Sequence, residues 1–384
     1  MPWNHKTVEA KRAEFIAEAR ESKNMSAVCR KYNITRKTGY KWLGRAEEGE
    51  ELSDRSRRPK RHGKSTEKNI EAKIIELRGA NPGWGCKKLH QVMVNQGYSG
   101  LPCVKTFNNI LKRNGCIAEE ESKKRIPYKR FERERCNELW QTDFKGDFEL
   151  GDGSRCYPLT ILDDHSRYLI KIDAKGDMKG VTESFRVAFT DYGMPDSVLS
   201  DNGGTFRGLH GGFTMFERWL MEHDVLPIHG RVKHPQTQGK IERMHGAMNS
   251  ELLNHRSFSD LQEAAVELEL WREKYNNVRP HEALDMKCPA QIFIHSDRKY
   301  HEKLIPFEYS DEHKVVKVNS WGYVRFAGFQ IFLSETFSEQ FIQLRSNPLK
   351  GSWIACFRNF RVAEFDVNTG KLLNRFVRRL TVLD

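Results

Sequence analysis

Hydrophobic positions change their spacing several times along the chain. In residues 6–22, Val8, Phe15, Ile16 and Ala19 recur at helical period and line one face. Ser26 then stands where it can cap a short helix bearing Ala27, Val28 and Tyr32. Asn33-Ile34-Thr35 reads as a turn, and Tyr40, Trp42 and Leu43 mark a second helix. Two short helices joined by a tight polar turn predict a helix-turn-helix, with a plain three-helix bundle as the alternative. Residues 66–117 repeat the pattern: Ile70, Ile74, Ile75 and Leu77 mark one helix, Leu89, Val92 and Met93 another, and Val104, Phe107, Ile110 and Leu111 a third.

From residue 138 the period shortens. ELWQTDFKGDFEL and RCYPLTILDD read as strands separated by the hairpin signal Gly151-Asp152-Gly153-Ser154, and RYLIKIDA as a third strand. A helix over 179–191, the short strand SVLS, a helix over 212–223, the short strand VLPI and a long helix from about 238 follow. Three antiparallel strands and then alternating helices and strands predict an α/β sheet of the ribonuclease-H-like kind. Beyond 310, the segments KVVKV, YVRFA, FIQLR and WIACF with Gly-rich or polar turns predict a small β-barrel. The expected organisation is therefore multidomain. All-α helix-turn-helix domains span 1–52 and 66–118, joined by a basic linker over 53–65; a connector spans 119–135, the ribonuclease-H-like core 136–300 and the β-barrel 310–384.

Charge sharpens this picture. Lys and Arg number 64 against 52 Asp and Glu, a net charge of +12, which favours a polyanionic partner. Arg36, Lys37, Lys41 and Arg45 decorate the second helix, where a major-groove reader places its contacts, and Lys105, Asn108, Lys112 and Arg113 are available on the helix over 104–113. SDRSRRPKRHGK, over 53–64, holds Arg57, Arg58, Lys60 and Arg61 among six Lys or Arg, with no apolar residue to bury them. Such a run suits a tether that lies along phosphates and whose affinity falls with salt. The eight cysteines are scattered without CxxC pairs and read as reduced thiols. No stretch approaches a membrane span, and the N-terminus lacks the apolar run of a secretory signal. The expectation is a soluble, cytoplasmic, nucleoid-associated protein with double-stranded DNA as its partner.

Three acidic residues stand in contexts that single them out. Asp143 lies inside the strand Trp140-Gln141-Thr142-Asp143-Phe144, a poor place for a charge unless the strand opens onto a site. Asp201 ends the short strand Val198-Leu199-Ser200 and opens Asn202-Gly203-Gly204, and carboxyl ends of strands are where α/β sheets bind ligands. Glu242 lies about one turn into a helix entered through the polar loop 234–239. Three converging carboxylates repel one another, a pair at 4 Å costing on the order of 4 kcal/mol at an effective dielectric of 20, so they imply a cation. Oxygen-only ligands select Mg²⁺ or Mn²⁺, and two such ions activate a nucleophile on one side of phosphorus and stabilise the leaving oxygen on the other. Asp163 and Asp164 read as turn residues that cap and orient the next strand, with metal contact as the other reading, and Asp147 reads as solvated.

At these residues the chain resembles a known family. LWQTDF, LDDHSRYLI, LSDNGGTF, HPQTQGKIERMHGAMNSELL and YNNVRPHEALDMKCPAQIF, in this order, resemble the integrase core of bacterial insertion-sequence transposases with N-terminal helix-turn-helix domains. The resemblance covers residues 136–295 strongly and the flanking modules by type and order. It implies that Asp143, Asp201 and Glu242 are the catalytic, metal-holding acids. It also implies 3′-end nicking followed by strand transfer into target DNA, and a dimer or larger synaptic assembly on transposon ends. Lys240 and Arg243, one helical turn apart, are positioned to meet phosphate; His234, Gln236 and Thr237 to order the loop over the substrate; Asn202 and His245 to support the acids. The His/His/Cys/Cys zinc module of retroviral integrases has no counterpart here. Forty residues separate Asp201 from Glu242, more than the mid-thirties usual for the family, and the Gly-rich stretch 207–212 accounts for the excess. A metal-dependent nuclease of the same fold and a catalytically inactive DNA-binding regulator are the other readings of these residues.

Overall fold

The computed structural model describes residues 7–55, 66–117, 132–208, 212–230, 239–347, 350–366 and 368–380. The chain divides between Thr66 and Glu67 into two compact units. The first holds three helices, α1 (Val8–Glu21), α2 (Met25–Lys31) and α3 (Arg36–Glu47). Asn24, rather than Ser26, caps α2: its carboxamide accepts from the Ala27 amide, and Ser26 falls inside the helix. Asn33 takes the left-handed conformation (φ 52°) that the tight turn demands, and Thr35 caps α3. A Cβ at Gly39 would lie 2.6 Å from the Cys29 sulfur, so only glycine lets α3 approach α2 this closely. Phe15, Ile16, Ala19, Val28, Cys29 and Trp42 fill the centre.

In the second unit, α4 (Lys68–Ala80), α5 (Cys86–Asn95) and α6 (Val104–Arg113) enclose Ile74, Leu77, Trp84, Leu89, Met93, Phe107 and Ile110. The helical periods read from the sequence account for every one of these except Trp84, which sits in the turn between α4 and α5.

The α/β region is built on β1 (Trp140–Phe144), β2 (Phe148–Glu149), β3 (Arg155–Asp163), β4 (Leu169–Lys175), β5 (Ser197–Ser200) and β6 (Leu226–His229). The main strand order is β4-β3-β1-β5-β6, with β2 paired to the start of β3. Antiparallel pairing joins β4, β3 and β1, and parallel pairing joins β1, β5 and β6. Between β4 and β5 lies α7 (Val181–Tyr192), and between β5 and β6 lies α8 (Met215–Glu222). Strand alternation divides the side chains between two layers. Trp140, Phe144, Leu159, Ile161 and Val198 pack with Phe185, Phe189, Phe216 and Trp219 of α7 and α8. Leu162, Leu169 and Ile172 pack on the other face with α9 (Gly239–Met248) and α10 (Leu261–Asn277).

The single long helix expected from about 238 is in fact two. After α9 a π-helical turn, Asn249–Leu253, breaks the ladder, and Asp260 caps α10. The π turn carries Glu251, whose carboxylate meets the Arg279 guanidinium at 2.8 Å; the two side chains are only 7 % and 10 % exposed. This pair anchors the end of α9 to the segment after α10. Removing one partner strands a buried charge, so Arg279→Ala is expected to cost about 3–5 kcal/mol in a thermal or urea melt. The double variant Glu251→Leu with Arg279→Met, which replaces both charges by apolar groups of similar length, is expected to recover most of that loss; a loss under about 1 kcal/mol in the single variant would show the pair to be incidental. Beside it, burial and the Arg279 charge push His281 down to about 2 and keep it neutral. The three-helix module α4–α6 rests on this corner: Lys274 donates to the Ala80 carbonyl (3.1 Å) and lies over the Trp84 ring, and Lys87 pairs with Glu282.

Beyond 310 run β7 (Lys314–Lys317), β8 (Tyr323–Phe326), β9 (Phe329–Phe332), β10 (Phe341–Asn347), β11 (Ser352–Phe357), β12 (Phe360–Asp366) and β13 (Leu372–Arg379). They form a five-stranded antiparallel sheet, β13-β12-β11-β10-β7, and a separate hairpin, β8-β9. The small β-barrel expected from the strand pattern is therefore corrected: among the described residues β13 and β7 each pair on one side only, and the sheet stays open. Its apolar face is covered from outside, by Val324 and Ile331 of the hairpin and by Phe213 and Met221 at α8, so closure on itself is not needed to bury it.

Candidate active site

The strand register brings two of the three singled-out acids side by side. In the parallel pair β1–β5, Gln141 is level with Leu199. Two residues further along each strand stand Asp143 and Asp201, on strands about 4.8 Å apart and on the sheet face that α9 covers. Asp201 lies one residue past the end of β5, where its Oδ1 accepts from the Gly203 amide at 3.0 Å. A Cβ at Gly203 would press to 3.1 Å on both carboxylate oxygens.

Three contacts fix α9 across the same face. The Ile241 amide donates to Gln141 Oε1 (3.3 Å), Lys240 Nζ donates to the Asp164 carbonyl (3.0 Å), and His245 Nε2 meets Thr160 Oγ1 at 2.8 Å. Thr160 is the register partner of Asp143 and donates to its carbonyl. Glu242, between Ile241 and His245, is exposed in the first turn of α9.

Electrostatics registers the meeting of these groups. Burial, then the charge of Asp201, push the Asp143 carboxyl up to about 7, and Glu242 adds to the rise. His245, with Nδ1 3.9 Å from Asp143 Oδ2, is lowered to about 4, first by burial and then by Lys145, so it faces Asp143 as a neutral ring. The donor set, three carboxylates with no thiolate, suits a hard divalent cation. Among the described residues no group of three or more His, Cys, Asp or Glu is already drawn together tightly enough to enclose an ion.

The neighbouring acids have other work. Asp163 is buried and accepts from the Asn137 amide and from the amide and hydroxyl of Ser166; Asp164 accepts from the Arg133 amide, Gln141 Nε2 and Lys240 Nζ. Both organise the turn into β4. Asp147 pairs with Arg155 instead of standing alone in solvent.

Of the basic residues assigned to DNA, Arg36, Lys37 and Lys41 are exposed on α3, Lys105 and Lys112 on α6, and Arg243 beside Glu242. Two expectations are corrected. Arg45 is buried at 9 % exposure, its guanidinium bonded to Glu50 and to the carbonyls of Glu51 and Ser53 and stacked near Trp42. It closes the module instead of reaching outward. Lys240 is turned inward onto Asp164 and half-buried, so it braces α9 against the sheet. Arg113, on the same exposed side as Lys112, is paired with Glu71. Arg57, Arg58, Lys60 and Arg61, and the loop residues His234, Gln236 and Thr237, lie outside the described residues. Asn202 bonds to the Gly230 carbonyl and Arg207. Within the stretch 207–212, Gly208 and Gly212 meet so closely that a Cβ on Gly208 would lie 2.3 Å from the Gly212 carbonyl oxygen; the residues between them lie outside the described ones.

Three residues beside the site were invisible in the sequence. Thr160 becomes a neighbour of Asp143 only through strand register, and Glu217 with His229 only through the packing of α8 on β5 and β6. The capping box Thr214–Glu217 was a legible signal for the start of α8, though not for this contact.

This fold and this pair of strand-end acids define an integrase-type α/β core, and family comparison agrees. Residues 133–235 and 223–289 match models described as integrase core domain, residues 11–60 a helix-turn-helix domain, and residues 38–111 a homeodomain-like domain. The chain is 25 % identical over 231 residues to the 31.7 kDa protein of insertion element IS407 from Burkholderia multivorans, covering 58 % of this chain and 80 % of that protein. It is 26 % identical over 251 residues to the 39.2 kDa protein of insertion element IS476 from Xanthomonas euvesicatoria, covering 62 % and 68 %. Among solved structures, the HTLV-2 integrase catalytic core domain in complex with magnesium matches at 19 % identity and TM-score 0.31, covering 41 % of this chain and 97 % of that one. A simian T-cell lymphotropic virus intasome matches at 15 % and 0.36, covering 81 % and 99 %. Residues 133–289 thus carry the integrase core match and residues 11–111 the helix-turn-helix matches ahead of it, in a chain similar to proteins of two bacterial insertion elements.

Proposed function

We propose that the protein binds the ends of its transposable element, cleaves the 3′ ends and joins them to target DNA, with Asp143, Asp201 and Glu242 holding two Mg²⁺ or Mn²⁺ ions. The observation that carries this reading is the Asp143 carboxyl, raised to about 7 by burial and by Asp201 and Glu242, residues far away in sequence. A site that gathers negative charge at such cost is built for a cation. When bound, the ions supply activation of the attacking oxygen and stabilisation of the leaving one.

The chain's own residues set the stage for that chemistry. Thr160 and the neutral His245 hold Asp143 in place, Gln141 and Lys240 dock the first turn of α9, which carries Glu242, on the sheet, and the exposed Arg243 offers a phosphate contact next to it. Arg36, Lys37 and Lys41 on α3 and Lys105 and Lys112 on α6 are the surfaces proposed to grip duplex DNA, joined by the basic run 53–64. Each transposition event handles two ends, so we assign the active form to a dimer or larger assembly on DNA.

The test is a pair of assays with the DNA that flanks the gene: nicking of intact ends, and joining of pre-cut ends bearing a free 3′-hydroxyl. Both are expected to require Mg²⁺ or Mn²⁺ and to fail in Ca²⁺-only buffer. Nicking without joining would leave a nuclease; binding without either would leave a regulator.

A further inference from the structure

Behind Asp201 lies a buried acid that the chemistry above does not use. Glu217, on α8, is 3 % exposed. Its Oε2 accepts from the Thr214 amide and hydroxyl in the capping box, work that a surface glutamate ordinarily does in water. Its Oε1 meets His229 Nε2 at 2.8 Å. The other ring nitrogen of His229 lies 3.2 Å from Ser200 Oγ and 3.3 Å from the Asp201 carbonyl oxygen. Ser200 and His229 are register partners in the β5–β6 ladder. The imidazole is thus a wedge between α8 and the point where β5 ends.

That placement answers a mechanical need. Asp201 stands one residue beyond β5, where the ladder no longer fixes the backbone, yet a metal-holding carboxylate must be kept within about 0.5 Å of its working place. We propose that Glu217 and His229 are a positioning pair for Asp201: the carboxylate accepts from Nε2 and so orients the ring, and Nδ1 then accepts from the Ser200 hydroxyl and fixes the strand end on which the Asp201 side chain is hung. This rests on the reading of Asp201 as a metal-holding acid. It follows the general pattern in which a group one contact removed from a metal orients its ligand.

The far side of α8 makes the pair rigid. Phe213 and Met221 are part of the apolar core of the C-terminal sheet. Arg218 Nη1 donates to the Thr336 carbonyl (2.6 Å), and Arg358 Nη1 to the Glu222 carbonyl (2.7 Å). The open sheet that takes the place of a barrel thereby backs the helix that holds the pair, which gives the C-terminal region a part in the active site without touching it.

The experiment is Mn²⁺ titration of the full-length protein, followed by electron paramagnetic resonance of the free ion, at a temperature where circular dichroism shows each variant folded. E217Q and H229N are expected to weaken Mn²⁺ binding about 10–100-fold. In strand transfer, kcat should fall at low Mn²⁺ and recover at high Mn²⁺, while KM for DNA stays unchanged. H229Q, whose amide can still donate to Glu217, should restore most of the affinity. T214A breaks the same capping box but leaves the His229 contact, so it should lower the melting temperature while Mn²⁺ affinity stays at the wild-type value. Asp201→Asn separates this inference from the reading beneath it. If wild type binds Mn²⁺ no better than Asp201→Asn, the carboxylate site fails and the pair with it. If Asp201→Asn abolishes binding while E217Q and H229N match wild type, the positioning pair alone is overturned, as it is if T214A weakens binding as much as they do.

Discussion

Asp143→Asn, Asp201→Asn and Glu242→Gln are each expected to lower Mg²⁺-dependent nicking and strand transfer by on the order of a thousandfold or more, with binding to the element's ends retained. Each change keeps the shape of the side chain and removes the charge that would hold the ions, so the loss falls on the chemical step. On the proposed reading the acids work as one unit, so double variants are expected to be no worse than single ones. Retained binding follows from geometry, since the exposed lysines and arginines of α3 and α6 sit on other elements. Two neighbours provide controls. Asp147→Asn, which breaks only a pair with Arg155, should leave activity within a few-fold of wild type. Asp163→Asn should act through stability, because that carboxylate holds the Asn137 and Ser166 amides. Gel assays of both steps, with binding measured by mobility shift, check the whole set. Near-wild-type nicking by any of the three acid variants would remove that residue from the site.

Asp143 and Asp201 were legible in the sequence because each breaks a local rule: a charge inside a strand, and an acid where a buried strand opens into glycines. Glu242 carries no such mark. On α9 it is an exposed helix glutamate, and only the surrounding motif distinguished it. The helices of the N-terminal modules were legible because their apolar period is strong, whereas their caps were off by a residue or two, as Asn24 and Ser26 illustrate. Basic residues were the least legible. Periodicity gives the face of a helix but not the reach of a long side chain, and so Arg45 and Lys240 turned inward to carbonyls and carboxylates that lie elsewhere in the chain. The C-terminal strands failed differently. β13, LLNRFVRR, alternates poorly and carries three arginines, so its pairing with β12 was not visible; and whether a sheet closes depends on what covers its open face, here Phe213 and Met221 from a segment some hundred residues earlier.

In the absence of divalent ions, Asp143→Asn should make the protein more stable at pH 7.5, even as it abolishes activity. The folded protein holds the Asp143 carboxyl at about 7, against an ordinary value of 3.8. The sign follows from linkage: the fold favours the protonated acid, so this contribution is fully present below about pH 4 and is lost as pH rises through 7. Each pH unit between the two values is worth about 1.36 kcal/mol, so a charged Asp143 in the empty fold costs on the order of 4 kcal/mol at neutral pH, and local relaxation will recover part of it. Asparagine carries no charge at any pH. The variant should therefore melt several degrees above wild type at pH 7.5, at roughly 2–4 °C per kcal/mol, and the advantage should shrink steadily as the pH is lowered to 4. Mg²⁺ should reverse the order, because the ion binds the folded wild type and offsets the repulsion, and wild type should gain in melting temperature with ion concentration while the variant does not. Differential scanning fluorimetry across pH and Mg²⁺ measures both effects. A variant less stable than wild type at pH 7.5 without ions would mean that the three acids do not crowd one another, and the electrostatic argument for a cation at the ends of β1 and β5 would fail with it.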